Sequence, residues 1–592
     1  MGVMPSMCLF ASYREDSPGK ASRVFAYLSV HRISLSNMSA LAEQRRSPSY
    51  EEKSGIEQTS EVDELHDPSL APKPPLPLAW KAVMVILTCM CAFGNHWSSS
   101  LIVALKTTIL KNLHINNSEF ATLVAVTNLV NTFLCVGIGF SIDKWGGSLL
   151  TVILTLFHLA GSLVMAGSAT NSLRSYPLLI VGKVLTSIGD GSIDNAQHRI
   201  FSTYFAPGRG FAFTIGAIWS VANLAQFTGS STANVISANT GTYAWALWVS
   251  SIISLFSVLC SIAVFFLDRY LRTRYDITDY TTGKRHLGAT KAGTFSLKAV
   301  TQFPVTFWII VLFTVFENAG VQSFVGISTQ FAQQRLKKGA VIGGWVANFY
   351  LLLPACLTPF LGIFIDFYGN RVTFLFLSGT TFLISMALLK FSGTLPTFVA
   401  AYIVYALAQS VTPAPQVEII RNVIPDPALF ATAFAIKKSA VQGSIVIITT
   451  AAGRLQDRAN NSLEPTISLW LAYAFICFFV STALLLLTYV PFGQKMLPGA
   501  RLSQVPPRRL VQEINRLAAK VGLDRKTKED GSVLTVKEKE RILKSPNPGR
   551  PYIVGILLPL GALSVVMLGW IIFGVGISWG IHAMTNGSAS GD

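Results

Sequence analysis

Long apolar stretches, each close to the length of a membrane-spanning helix, alternate with short polar connections over most of this 592-residue chain. A helix needs about 20 mainly apolar residues to cross the hydrocarbon of a bilayer. The first six stretches lie near 79–105, 119–141, 148–169, 176–200, 209–236 and 242–268. The next six lie near 304–331, 340–365, 371–391, 396–420, 428–455 and 466–490, and a further run covers about 553–577. This pattern predicts an all-α membrane protein with twelve spans in two six-helix bundles and a thirteenth, C-terminal helix.

A short polar phrase occurs twice, each time between the second and third stretches of a set of six. Its two copies share the spacing Gly-x-x-x-Asp-x-x-Gly and consist of Gly139, Asp143 and Gly146, and of Gly362, Asp366 and Gly369. Glycine permits close helix approach and tight turns, and an aspartate at this position can face the positive N-terminus of a neighbouring helix. The repetition predicts two related halves. It also predicts two latches that hold the halves together at one end, unless the aspartates only cap helices and fix topology.

Charge distribution sets the predicted topology and boundaries. The connection from 269 to 298 holds seven Lys or Arg against two Asp, and 491–550 holds 14 against 6 acidic residues, so both are predicted to be cytosolic. Sequons at Asn116, Asn460 and Asn586 then fall on the opposite side as candidate glycosylation sites. The predicted regions are a disordered cytosolic tail (1–78), a first bundle (79–268), a cytosolic loop (269–303), a second bundle (304–490), a basic cytosolic segment (491–550), an extra helix (551–582) and a lumenal tail (583–592).

Composition agrees with a lipid environment and narrows the function. The chain is 51% hydrophobic and 13% charged, whereas soluble domains are about 25% charged. Its net charge of +17 is concentrated in loops and tails beside the apolar stretches, which suits contact with anionic lipid and argues against a nucleic-acid partner. The sequence has no phosphate-binding loop, metal-ligand spacing or nucleophile elbow. We therefore expect no cofactor, no metal site and no enzymatic activity.

Ionisable residues inside the apolar stretches are the candidate chemistry. Each costs about 2.5–3.5 kcal/mol at mid-membrane, so it needs a partner or a water-filled cavity. The fourth stretch holds Asp190 and Asp194 one turn apart, and the eleventh holds Lys437 and Lys438, which cannot both face one point. We favour Lys438 as cavity-lining; a structural ion pair with a carboxylate is the alternative. The remaining candidate substrate-binding residues are Asn95, His96, Asn223, Glu317, Gln322 and Gln442.

Several of these residues lie in motifs that resemble a known family. The two phrases, the two sets of six and the basic central loop resemble the major facilitator superfamily. Within it, the runs 91–95 (CAFGN), 140–144 (FSIDK) and 188–192 (IGDGS) resemble the lysosomal dipeptide-uniporter branch, over about residues 80–490. The resemblance implies latches that break when the cavity opens to the cytosol, with Arg371 at the basic position that closes the family phrase.

This chain differs from the lysosomal dipeptide-uniporter branch at two positions. The branch carries an acidic residue in its fourth helix and an arginine in its fifth that engage the peptide termini, where this chain has Gly191 and Asn223. Asp190 stands next to the first of these positions, and no residue of the fifth stretch replaces the arginine. Animal members work with a single-span membrane glycoprotein, which the resemblance implies as a candidate partner here, and the thirteenth helix could take its place.

These observations predict a secondary transporter of a small polar organic solute, with dipeptides or amino acids as candidates, working by alternating access in a vacuolar or lysosomal membrane. Acidic groups on one half and a lysine on the other suit a zwitterion. Uniport and proton coupling both remain open, as does the plasma membrane. The alternatives are a proton-coupled monocarboxylate or drug transporter and a non-transporting nutrient sensor or scaffold with the same fold.

Overall fold

A computed structural model describes most of the chain from residue 73 onward. The described residues are 73–170, 173, 175–205, 210–277, 300–337, 345, 348–392, 394–425, 429–523, 533–544 and 552–585. Most of the predicted N-terminal tail, much of the central loop and the sequon at Asn586 lie outside these ranges, as does the side chain of Asp143.

Eight helices form the first half of the fold. They are α1 (Leu78–Met90), α2 (Phe93–Ala104), α3 (Lys106–Leu113), α4 (Asn117–Trp145), α5 (Gly147–Ser168), α6 (Tyr176–Tyr204), α7 (Phe211–Thr240) and α8 (Tyr243–Arg274). The first predicted span is broken into α1 and α2 at 91–92. Ser257 of α8 stabilises this break, since its hydroxyl accepts a hydrogen bond from Gly94 N at 2.8 Å and donates to Met90 O at 3.2 Å. Backbone groups freed by the break are thus satisfied inside the protein.

Seven helices form the second half. They are α9 (Val305–Leu336), α10 (Leu352–Tyr368), α11 (Arg371–Phe391), α12 (Leu395–Val411), α13 (Pro413–Val423), α14 (Phe430–Arg458) and α15 (Ile467–Tyr489). The tenth predicted span is divided between α12 and α13 because Pro413 and Pro415 have no backbone N–H to continue the helical ladder.

Eleven of the described helical stretches are long and apolar enough to cross a membrane. The fourth and eleventh predicted spans are not among them, although α6 and α14 are each 29 residues long. These two helices carry several charged residues, including Asp190, Asp194, Lys437 and Lys438. They meet the length criterion but not the composition criterion because they face a polar cavity inside the protein.

The two halves meet along two helix pairs, α4 with α14 and α7 with α10. In the second pair the backbones are in contact: a Cβ added to Gly216 would lie 2.4 Å from Thr358 O, and one added to Gly362 would lie 2.4 Å from Ala212 O. Only glycine permits this approach.

The second copy of the repeated phrase lies at this contact. Asp366 accepts hydrogen bonds from Phe213 N (3.1 Å) and Ala212 N (3.4 Å) at the start of α7. The arrangement is that of a carboxylate at a helix N-terminus, where the dipole favours negative charge. Gly146 and Gly369 take left-handed backbone angles, φ +91° and +73°, in the turns that follow each phrase. The latch role itself remains a prediction.

The described part of the basic segment 491–550 folds against the same end of the protein. It forms α16 (Pro491–Met496), α17 (Pro498–Gln504), α18 (Leu510–Val521) and α19 (Val536–Lys544). Gln504 accepts a hydrogen bond from Val372 N at 3.0 Å, and Arg371 donates to Ser503 O at 2.9 Å. The segment therefore covers the start of α11.

An acidic residue holds α18 to α17. Glu513 accepts hydrogen bonds from Arg501 (3.0 Å) and Arg516 (3.3 Å). Burial alone would raise the pKa of Glu513, but the hydrogen bonds and charges of the two arginines outweigh it and hold this pKa below its usual value. The stabilisation is fully present above the unfolded-state pKa and is lost as the pH falls through the folded-state pKa.

Arg371 also forms a buried ion pair with Glu418 of α13; the two side chains are 4% and 1% exposed. We expect Glu418→Gln to lower the free energy of unfolding by about 3–5 kcal/mol, because it leaves the guanidinium buried without its counter-charge. Thermal unfolding of the purified protein measures the change. Glu464→Gln is the matched control, since Glu464 is 57% exposed and pairs with Arg335 at the surface, where about 0–1 kcal/mol is expected. Equal melting temperatures for the two variants would contradict the assignment.

The thirteenth predicted span is α20 (Tyr552–Thr585), which packs against α14 and α4. A Cβ added to Gly569 would lie 2.9 Å from Gly443 O, and Trp570 Nε1 donates to Thr132 Oγ1 at 3.0 Å. The guanidinium of Arg454 lies 5.4 Å from the Trp579 ring centroid. The extra helix therefore contacts both halves along the seam between α4 and α14.

Candidate functional site

A polar cavity of about 320 Å³ lies between the two halves. Its walls come from α2, α3, α4, α6 and α7 of the first half and from α9, α12, α13, α14 and α15 of the second. Nine of the ten predicted substrate-binding residues line it: Asn95, His96, Asp190, Asp194, Glu317, Gln322, Lys437, Lys438 and Gln442.

Asn223 does not line this cavity, which corrects the sequence-based prediction. Its side chain is 1% exposed, donates to Trp219 O at 2.7 Å and accepts from Gln409 Nε2 at 3.1 Å. Gln409 belongs to the other half and does line the cavity. Asn223 therefore joins the halves behind the cavity wall, because its amide hydrogen-bonds with Gln409 and its own helix.

One ion pair crosses the cavity. Lys438 Nζ of α14 lies 2.9 Å from Asp194 Oδ2 of α6, and His96 Nε2 of α2 lies 3.9 Å from Asp194 Oδ1. The side chains of Lys438 and Asp194 are 15% and 22% exposed, so the pair borders the cavity rather than lying deep in the core. A carboxylate of the first half and an ammonium of the second are thus joined directly across the site.

The second carboxylate of α6 has different neighbours. Asp190 Oδ1 lies 3.4 Å from His158 Nδ1 of α5, and Ser99 of α2 donates to Asp190 Oδ2 at 3.4 Å. Neither contact is as short as that between Asp194 and Lys438. Asp190 can therefore accept hydrogen bonds from a solute in the cavity.

The acidic residue of α9 is held by neutral groups. Glu317 is 1% exposed and accepts hydrogen bonds from Thr412 (2.8 Å), Ser378 (3.0 Å) and Gln416 (3.1 Å). Lys437 Nζ lies 3.0 Å from Asn318 when the amide is oriented with its oxygen towards the lysine. Lys437 and Lys438 therefore face different neighbours, as expected for adjacent helical positions.

Two other lining residues present unpaired polar atoms. Both amide atoms of Asn95 and both ring nitrogens of His198 are buried and have no hydrogen-bond partner among the described residues. Each side chain is 2% exposed. Buried polar groups are normally paired, so these atoms are available to a ligand or to water.

The sequence analysis did not select every polar residue of the wall. It missed Lys106, Ser99 and Gln416, which lie at span ends or among small residues where composition gives no signal. Lys183 also lines the cavity, and its position seven residues before Asp190 places it on the same helical face. That spacing was the available signal.

Contacts between the halves occur at both ends of the cavity. At the end nearer the sequons, Lys106 donates to Gln330 (2.8 Å) and Gln456 (3.1 Å) of the other half. At the opposite end the rings of His198 and Phe434 meet edge to face with centroids 4.9 Å apart. The structure thus has contacts that restrict access from either side.

Two of the predicted glycosylation sites lie in described regions. Asn116 caps α4, where its side chain accepts from Glu119 N at 2.7 Å, and its amide nitrogen is buried. Glycan attachment there requires this nitrogen to become exposed. Asn460 is exposed and has a left-handed backbone angle, φ +51°.

Comparisons with known proteins agree with this fold. A family model described as Major Facilitator Superfamily matches residues 88–343. The lysosomal dipeptide transporter MFSD1 of Danio rerio is 24% identical over 390 residues, covering 64% of this chain and 81% of the relative. The Homo sapiens protein of the same name is 22% identical over 398 residues, covering 65% and 81%. The solved proton:xylose symporter XylE is similar in structure, with a TM-score of 0.56 and 12% identity over 72% of this chain and all of that one.

Proposed function

We propose that this chain is a transporter of the major facilitator superfamily and that its solute is a small zwitterion, a dipeptide or an amino acid. The observation that carries the proposal is the contact between Asp194 of the first half and Lys438 of the second across one cavity. A zwitterion supplies an ammonium for the carboxylate side and a carboxylate for the lysine side. It can therefore replace the Asp194–Lys438 ion pair with two ion pairs of its own, one to each half, so that the halves remain joined.

The same contact supplies a mechanism for alternating access. Because the ion pair and the solute would use the same two side chains, the empty cavity closes on the ion pair and the loaded cavity closes on the solute. Opening of the cavity separates Asp194 from Lys438, and an unpaired charge left in the site is unfavourable. Opening is therefore favoured when a solute can enter and pair with both side chains. Binding energy then couples solute recognition to the movement of one half against the other.

A vacuolar or lysosomal membrane is the proposed location. The support comes from the relatives described as lysosomal dipeptide transporters, at 22–24% identity. Imaging of a tagged chain tests it, and fluorescence confined to the plasma membrane would overturn it.

Transport into liposomes tests the proposed solute class. The purified chain is reconstituted and offered labelled dipeptides, amino acids and monocarboxylates. We expect saturable uptake of zwitterions and none of simple monocarboxylates. Uptake of monocarboxylates alone would overturn the proposal, and ligand-induced thermal stabilisation without any uptake would favour a sensor.

Proton coupling is a second candidate because two histidines contact the cavity carboxylates. His158 lies 3.4 Å from Asp190 and His96 lies 3.9 Å from Asp194. An imidazole in contact with a carboxylate can exchange a proton with it. A pH gradient across the liposome separates the two modes: a uniporter only equilibrates the solute, whereas a coupled transporter accumulates it.

A single-span glycoprotein partner, implied by the resemblance, belongs with these proposals. The helix α20 already lies along the seam between α4 and α14. A partner would therefore have to bind elsewhere or displace α20. Purification of the chain with and without residues after Leu543, followed by identification of bound glycoproteins, distinguishes the two.

A further inference from the structure

A third Gly-x-x-x-Asp spacing lies near the end of α14. It consists of Gly453 and Asp457, and it repeats the spacing of Gly362 and Asp366 near the end of α10. These two helices belong to the two pairs at which the halves meet, α14 with α4 and α10 with α7. The same spacing therefore occurs in both pairs, where the end of one helix meets the start of its partner in the other half.

Asp457 contacts α4 in the way that Asp366 contacts α7. Its Oδ2 atom accepts a hydrogen bond from Ser118 N at 3.0 Å and another from the Ser118 hydroxyl. Ser118 is the second residue of α4, so the carboxylate lies at the positive end of the helix dipole. Because α14 belongs to the second half and α4 to the first, these hydrogen bonds join the halves.

Gly453 gives the two helices the close approach that this contact needs. A Cβ added to Gly453 would lie 2.7 Å from Ala121 Cβ of α4, and one added to Gly362 would lie 2.4 Å from Ala212 O of α7. In each pair the glycine precedes its aspartate by about one helical turn, so both residues lie on the face that meets the partner helix. A small residue at the crossing thus lets the carboxylate reach the partner's backbone.

The two contacts lie at opposite ends of the cavity. Asn116 precedes α4 and Asn460 follows α14, so the contact of Asp457 lies at the end that carries these sequons, here called the sequon end. The side chain of Asn117 also crosses between the halves there, donating to Asn461 at 2.5 Å. The contact between α10 and α7 lies at the end covered by α17. Opening of the cavity at one end therefore requires the contact at that end to break.

We propose that Gly453 and Asp457 form a latch that holds the cavity closed at the sequon end, opposite the latch predicted at Gly362 and Asp366. Both contacts are formed in this structure. Movement of one half against the other breaks one latch while the other stays closed. The inference goes beyond the proposed function, because it concerns access to the cavity and holds for any solute.

Labelling of a cavity cysteine from each side of the membrane tests the proposal. Gln322→Cys places a thiol on the cavity wall of the full-length chain, in a background with Cys8 and the exposed Cys356 changed to serine. An impermeant maleimide is added to either side of sealed vesicles that hold the chain in one orientation. Asp457→Ala should raise the labelling rate from the sequon side about tenfold, since a hydrogen bond to a charged group changes an equilibrium by about that factor or more. Labelling from the opposite side should not rise, because the contact of Asp366 is intact.

Glu464→Ala is the matched control for the lost carboxylate. Glu464 lies just after α14 and pairs with Arg335 of its own half, so its removal breaks no contact between the halves. Its labelling should equal that of the unsubstituted background. Ser118 is kept in all variants because it completes the sequon of Asn116.

Gly453→Leu tests the same latch through packing. Its side chain forces α4 and α14 apart, so sequon-side labelling should rise as in Asp457→Ala. Gly167→Leu is the control, since a Cβ at Gly167 meets no heavy atom within 4 Å. Sequon-side labelling of Asp457→Ala equal to that of Glu464→Ala overturns the inference, and so does an equal rise from both sides, which indicates a loosened fold. Because labelling needs no solute, absence of zwitterion uptake would count against the proposed function alone.

Discussion

Lys438→Met is expected to reduce solute uptake into liposomes by at least about tenfold, and Asp194→Asn is expected to do the same. Each substitution leaves the opposite charge of the 2.9 Å pair in the cavity without its partner. Breaking such a pair costs more than 1.4 kcal/mol, which corresponds to the tenfold change. Both single variants should also melt below the wild-type protein in the absence of solute.

The double variant Asp194→Asn with Lys438→Met separates stability from transport. Removing both charges at once leaves no unpaired ion, so most of the lost thermal stability should return. Transport should not return, because the solute needs both charges. Lys111→Met, at an exposed position of α3 outside the cavity, is the matched control. Wild-type uptake by the double variant would show that the pair only stabilises the fold.

Gly362→Leu is the second substitution with a large expected effect. The added Cβ would lie 2.4 Å from Ala212 O, a distance at which the backbone of α7 or α10 must move. The two halves are then held apart at the end where Asp366 contacts the start of α7. We expect uptake to fall at least about tenfold, because a transporter that cannot close one end cannot complete its cycle.

Thiol labelling shows from which side of the membrane Gly362→Leu opens the cavity. A cysteine replacing Gln416 in the cavity, in a background with Cys8 and the exposed Cys356 changed to serine, reports access by an impermeant maleimide. Labelling from the cytosolic side should increase in Gly362→Leu. Gly137→Leu is the control, since a Cβ at Gly137 meets no heavy atom within 4 Å. Equal labelling of the two variants would contradict the role of the α7–α10 contact.

The sequence was sufficient for the fold because length, apolar content and a repeated phrase are local properties. Stretches of about 20 apolar residues and the two Gly-x-x-x-Asp-x-x-Gly phrases predicted the helices and the two halves. The division between α12 and α13 follows from Pro413, a local signal that the hydropathy pattern concealed.

The site was only partly predictable because its pairings join residues far apart in the chain. Buried charges identified Asp190, Asp194 and the two lysines, since each needs a reason to lie in the membrane. No sequence signal indicated that Lys438 pairs with Asp194 across 244 positions, or that Arg371 pairs with Glu418. Asn223 was assigned to the site because a polar residue in a span can face either a cavity or a neighbouring helix. The packing of the helices, which the local sequence does not specify, decides between these two orientations.

A cryo-EM map of the full-length chain with alanyl-alanine bound in lipid nanodiscs tests the central claim most directly. The account predicts peptide density between α6 and α14, with the ammonium group at Asp194 and the carboxylate at Lys438. It also predicts that Asp194 and Lys438 lie at the same cavity wall. Peptide density outside the space between the two halves, with Asp190, Asp194 and Lys438 turned away from it, would contradict the account.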